Sequence, residues 1–130
     1  MNNFIKISLA SVFLFSVTAC SNTQPIHNVE QATVVSSLSA EQVRSAIVQA
    51  ATNRGWIIEE DSGDEIVAVI NVRTHQAKVR IPYSESNYSI EYDSSDNLKQ
   101  RGSSIHRNYN RWVHNLNNDI RRNMNLIAVQ

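Results

Sequence analysis

Hydrophobic and polar positions recur with two different periods along this chain, and the changes of period mark its elements. Between residues 40 and 54, Val43, Ala46, Ile47, Ala50 and Ala51 fall on one face at helical spacing. Ser39 and Gln42 form a capping box ahead of them, and Gly55 can close the helix in the left-handed conformation. The pattern then predicts strands over 56–60, 65–73, 76–83 and 88–93, separated by turns at 61–64, 74–75 and 84–87. Ala77, Val79, Ile81 and Tyr83 alternate with Lys78 and Arg80, and Tyr88, Ile90 and Tyr92 alternate with Ser89, Glu91 and Asp93. Alternation of this kind marks strands with one wet face. After a polar loop over 94–102 the helical period returns, with Ile105, Tyr109, Trp112, Val113, Leu116 and Ile120 in one stripe up to Asn123. Ser103 or Ser104 is the expected cap, and Trp112 the expected middle of the stripe.

Two amphipathic helices and one half-buried sheet have one economical packing. The expected fold is α+β: a two-layer sandwich in which a four-stranded antiparallel meander carries both helices on one face, in the order α-β-β-β-β-α. Short connections favour antiparallel neighbours. The domain is predicted over 39–130.

The chain start follows a different logic. A short polar start with Lys6 precedes an apolar run from Ile7 to Val17, interrupted by three serines. That run is too short for a permanent membrane span, which needs about 20 apolar residues, and has the dimensions of a secretory signal. It ends in Val17-Thr18-Ala19-Cys20. This tetrapeptide resembles the lipobox of bacterial lipoproteins: an aliphatic residue, a tolerant position, a small residue for the peptidase pocket, and a thiol nucleophilic enough to be alkylated. The resemblance implies cleavage before Cys20, diacylglycerol on its sulfur and acylation of the new amino group. Residues 1–19 are then a lipoprotein signal peptide, and residues 20–38 the lipidated Cys with a flexible tether rich in Ser, Thr, Asn and Gln. Eighteen such residues span roughly 20–25 Å as a coil. Ser21 after the Cys resembles the outer-membrane-directed class of lipoproteins.

Composition narrows the function. The 130 residues hold 12 Lys and Arg and 12 Asp and Glu, for a net charge of zero. A nucleic-acid binder usually carries a clear basic excess, so no nucleic-acid partner is expected. One cysteine allows neither an intrachain disulfide nor a cysteine metal cluster. The charge is unevenly placed: seven acids against two bases from Glu30 to Glu65, and six bases against one acid from Asn97 onward.

Candidate chemistry is sparse. His27 lies in the tether and His75 near a hairpin, while His106 and His114 stand about 12 Å apart along the second helix and cannot chelate as an i, i+4 pair would. Glu59, Glu60, Asp61, Asp64 and Glu65 crowd one turn, but without the spacing of a calcium loop. They are read as a solvated hairpin tip. No nucleophile elbow or Gly-rich phosphate loop is present, so no catalytic, cofactor or metal residues are assigned and no enzyme is expected. Arg107, Arg111, His114, Arg121 and Arg122 lie opposite the apolar stripe of the second helix, where they form either an ordinary wet face or a contact for phospholipid, lipopolysaccharide or an acidic partner.

Gly55-Trp56, Tyr88-Ser89-Ile90-x-Tyr92, Ser104-Ile105-His106 and Tyr109-Asn110-Arg111-Trp112-Val113 resemble the pattern of small proteobacterial envelope lipoproteins of unassigned activity. That resemblance brings no catalytic residues with it. The expectation is a lipid-anchored envelope protein, held at the membrane through Cys20 on the periplasmic face of the outer membrane. Its non-catalytic domain would contact another envelope component, with an envelope protein or anionic lipid as candidate partner. A small-molecule or glycan site on the open sheet face is the second expectation, and an enzyme the third.

Overall fold

The computed structural model describes residues 21–35 and 37–130. Its elements run β1 (Thr23–Pro25), β2 (Val29–Thr33), α1 (Ala40–Asn53), β3 (Ile57–Asp61), β4 (Glu65–Val72), β5 (His75–Pro82), β6 (Asn87–Asp96), β7 (Ser104–His106) and α2 (Arg107–Ala128). The fold is α+β with an antiparallel sheet, but the sheet has five strands where four were expected. Its order is β2-β6-β5-β4-β3, and β1 and β7 form a separate two-stranded sheet.

Two of the extra strands, β1 and β2, come from the stretch read as a tether, which is a correction. β2 pairs antiparallel with β6, and β1 pairs with β7 through Thr23↔His106, Gln24↔Ile105 and Pro25↔Ser104. Its residues gave no period-two signal because β2 is bulged. Gln31 has φ +50° and the register shifts between Val29 and Ala32. A bulge resets the alternation, so Val29, Ala32 and Val34 all reach the core despite their uneven spacing. The Gln31 N–H donates to Ser89 Oγ at 3.0 Å.

Helix α1 forms as its sequence predicts. Ser39 and Gln42 complete the capping box in both directions. At the other end Gly55 has φ +87°, the Trp56 N–H reaches the Ala51 carbonyl at 2.9 Å, and the Gly55 N–H reaches that of Thr52 at 3.1 Å. That is the paired-bond termination that a left-handed glycine permits. Helix α2 departs from expectation at both ends. Ser104 lies in β7 instead of capping, and His106 is the cap, its Nδ1 accepting from the Asn108 N–H at 3.1 Å. Pairing with β1 holds residues 104–106 extended, which delays the helix. It then runs to Ala128, because Met124 and Ile127 prolong the buried stripe.

Both helices cover one face of the sheet. Val43, Ile47 and Ala50 of α1 and Tyr109, Val113, Leu116 and Ile120 of α2 share one cluster with inward residues of β4 (Ile66, Ala68, Ile70), β5 (Ala77, Val79, Ile81) and β6 (Tyr88, Ile90). Trp112 sits at the edge of the stripe, partly buried, correcting the expectation that it lies in the middle. It lines a slot of about 190 Å³ with Arg54, Trp56, Ile70, Val72 and Asn115.

On the opposite face Val67 and Val69 are also buried, although no helix covers them. They stand opposite Arg80 and Lys78 on the neighbouring strand. Long basic side chains can lay their methylenes over apolar surface and keep the charge wet. Ion pairs hold these two in place: Lys78 with Glu59 at 3.0 Å, and Arg80 with Glu65 and with Asp93.

Candidate functional site: the corner where the described chain enters the fold

Three segments meet at one corner: the stretch from Ser21 to Val29, the loop and strand from Leu98 to His106, and the first turns of α2. Main-chain bonds stitch them together. The Arg107 N–H donates to the Asn22 carbonyl at 2.8 Å, the Ile26 N–H to the Ser103 carbonyl at 2.7 Å, and the His106 N–H to the Leu98 carbonyl at 2.8 Å. Asn110 is the fastener. It is buried on α2, and its Oδ1 accepts from the His27 N–H at 3.0 Å while its Nδ2 donates to the Pro25 carbonyl at 2.9 Å and to Gln24 Oε1 at 3.2 Å. Every polar atom of that side chain is therefore used to hold the incoming chain, which accounts for a buried amide on an otherwise apolar helix face.

The strap brings His27 against His114, with ring centroids 4.3 Å apart and planes 23° from parallel. Burial, and then the nearby His114, lower the pKa of His27. His106 is lowered as well, first by burial and then by Lys99, His75, Arg107 and Arg111 around it. Gln24, Arg107, Asn110, Arg111 and His114 line a shallow pocket of about 250 Å³ at this corner.

The corner has one sign of charge. Residues 21–29 and 98–118 together hold Lys99, Arg101, Arg107, Arg111 and three histidines, and no Asp or Glu. All four Lys and Arg side chains are exposed. Elsewhere Arg44, Arg54, Lys78, Arg80 and Arg122 each pair with a carboxylate, and Arg73 and Arg121 stand singly without one among the described residues. Among the described residues these four corner cations have no such partner. The N-terminus of α2 adds the positive end of a helix dipole.

The other sequence candidates are distributed differently. Cys20 and residues 1–19 lie outside the described residues. His75 Nδ1 contacts the Asn97 carbonyl at 2.6 Å, close to the corner but on β5. Among the described residues no three of His, Cys, Asp and Glu gather where a metal ion could be held. Three of the five acids in the cluster pair with cations: Asp61 with Arg44, Glu59 with Lys78 and Glu65 with Arg80, while Glu60 and Asp64 join no ion pair among the described residues. Hydrogen bonding from Arg44 keeps Asp61 below its ordinary carboxylate pKa. The basic face of α2 is not one surface. Arg122 turns toward Asp119, which also takes Arg54 of the α1 end at 2.6 Å, and Arg121 lies about 21 Å from Arg107 along the axis. The sequence reading missed His27 as a site residue, because nothing local indicates that a histidine in a polar stretch stacks on a helix 87 positions away.

A larger groove of about 410 Å³ runs between the helices, lined by Gln42, Ser45, Gln49, Asn123 and Leu126 among others, and it holds no titratable side chain. Tested against known protein families, curated proteins and solved structures, the chain matches none.

Proposed function

We propose that this chain is a lipid-anchored cell-envelope protein, acylated at Cys20 and held on the periplasmic face of the outer membrane, whose small non-catalytic domain contacts another envelope component. The observation that carries the reading is the Val17-Thr18-Ala19-Cys20 tetrapeptide, with the chain's one cysteine directly after an apolar run of secretory length. Among the described residues no helix is long and apolar enough to cross a membrane, so attachment through the lipid is the route the reading uses. The open sheet face favours a contact surface over a glycan site. It presents Lys78, Arg80, Glu59, Glu65 and Asp93 in mutual ion pairs, whereas Tyr92 and Tyr88 point into the helix-covered side. Sugar recognition generally needs an exposed ring to stack on, and this face supplies none among the described residues.

The deciding experiment is metabolic labelling with a fatty-acid analogue. The wild-type chain should take up label and Cys20→Ser should take up none, accumulating as an uncut precursor. Equal labelling of the two would end the lipid-anchor reading.

A further inference from the structure

The strap changes what a lipid anchor would do. A flexible 18-residue tether would let the domain wander above the headgroups, but the chain is already bonded to α2 at Asn22 and in a strand at Thr23. Two residues of chain span at most about 7 Å. An acyl group on the residue before Ser21 must therefore enter the bilayer beside Arg107. The surface at that point is the acid-free corner, with Lys99, Arg101, Arg107 and Arg111 exposed and without carboxylate partners among the described residues.

We propose that Arg107 and Arg111, flanked by Lys99 and Arg101, seat on the phosphates of anionic phospholipid in the leaflet that carries the anchor, so that the domain sits flush on the membrane. The inference rests on the lipid-anchor reading for its geometry. Its chemistry stands on the corner itself. Guanidinium groups match phosphate oxygens in a bidentate way. The pocket lined by Gln24, Arg107, Asn110, Arg111 and His114 gives such a group a concave seat. A lone basic patch far from the chain entry would need affinity of its own. Here covalent attachment supplies the local concentration, and a modest electrostatic attraction suffices to set orientation. Arg121 and Arg122, farther along α2, take no part.

The test uses the full chain purified from its membrane and added to vesicles of phosphatidylcholine, with or without phosphatidylglycerol. Intact mass reports whether Cys20 is acylated, independently of docking. Hydrogen exchange reports which segment meets the lipid. Phosphatidylglycerol should slow exchange in peptides covering 22–28 and 98–114, and Arg107→Gln with Arg111→Gln should abolish that difference. Added salt should weaken it, because exposed charges are screened beyond roughly a Debye length. If the mass shows no acyl group, cosedimentation still decides. Each basic side chain near an anionic surface is worth about a fivefold preference, so four should favour the anionic vesicles by several hundredfold, on the order of 600-fold. Equal exchange and equal sedimentation on both vesicle types would overturn the proposal whatever the mass shows. So would protection confined to the far half of α2, or protection produced equally by inorganic phosphate over neutral vesicles. The comparison of vesicles needs no variant, so a variant that fails to fold leaves the test intact.

Discussion

The two most highly charged regions of this protein end in opposite states. The acidic hairpin around Asp61 meets Arg44 from α1 and Lys78 and Arg80 from β5, so its carboxylates stand among cations. The basic corner around Arg107 is assembled from segments 21–29 and 98–118, neither of which contains an acid. Both regions are legible as charge clusters in the sequence, and both have an ordinary solvated reading. Tertiary structure separates them, because cross-strand and helix pairing brings opposite charges to the hairpin while the strap that docks at the corner brings no acid to it. A cluster that folding neutralises has little left to attract a partner. One that folding concentrates keeps its field.

The largest expected effect comes from unfastening the corner. Asn110→Ala leaves the His27 N–H and the Pro25 carbonyl without their partner in a largely buried place. Buried polar groups stripped of partners cost about 1–3 kcal/mol each, so the substitution should lower stability by about 2–4 kcal/mol and the melting temperature by on the order of 10 °C or more. Thermal unfolding by circular dichroism measures this. A shift of under about a degree would mean that the strap frays without consequence, and the corner would lose its status as a fixed surface.

Acid should be the next strongest perturbation, and it acts on the two regions at different pH. His27 and His106 are held below their ordinary value of 6.5. Below pH 6.5 the unfolded chain takes up those protons first, so stability is complete above that point and falls as pH drops toward the folded-state values. Asp61 and Asp119 are held below 3.8 by Arg44 and Arg54, so their share is complete above 3.8 and is lost only at lower pH. The melting temperature should therefore decline in two stages, the corner first. His27→Gln should shrink the first stage, leaving the share of His106, and should not touch the second. A single decline, near pH 4 only, would show that the histidines do not feel the strap.

Neutralising the hairpin should matter less. Glu59→Gln, Asp61→Asn and Glu65→Gln together should leave the fold intact, since exposed ion pairs contribute little. The same change should raise affinity for anionic surfaces, because Lys78 would lose its partner while Arg44 and Arg80 would keep only Glu41 and Asp93. Cosedimentation with phosphatidylglycerol vesicles checks it, and an unchanged binding curve would mean that the hairpin lies too far from the docking surface. The smallest effect on stability belongs to Arg107→Gln with Arg111→Gln. Surface substitutions of this kind shift stability by under about 0.5 kcal/mol, so the melting temperature should hold while the lipid-dependent protection disappears. A large fall in melting temperature would give these arginines a structural role in place of a contact role.

Local pattern in the sequence was enough for α1, the body of α2 and the four strands β3 to β6: the helices and β5 each bury one regular face and write their own period, while β3 and β4 show as short apolar and β-branched runs set off by turns. Ser39, Gln42 and Gly55 fix the limits of α1 by bonds to residues at most five positions away. The charge clusters and the single cysteine were legible too, being matters of composition. Only tertiary structure decided that residues 23–25 and 29–33 are strands, that α2 starts after β7, and that His27 rests on His114. The reason is physical. β1 and β2 are short and largely polar, β2 is bulged, and this segment is held by main-chain and side-chain bonds to residues 58 to 86 positions away. Such bonds depend on no hydrophobic period in the strand itself. They exist only once the helix-covered core has put Asn110, Ser89 and β7 where the incoming chain can reach them.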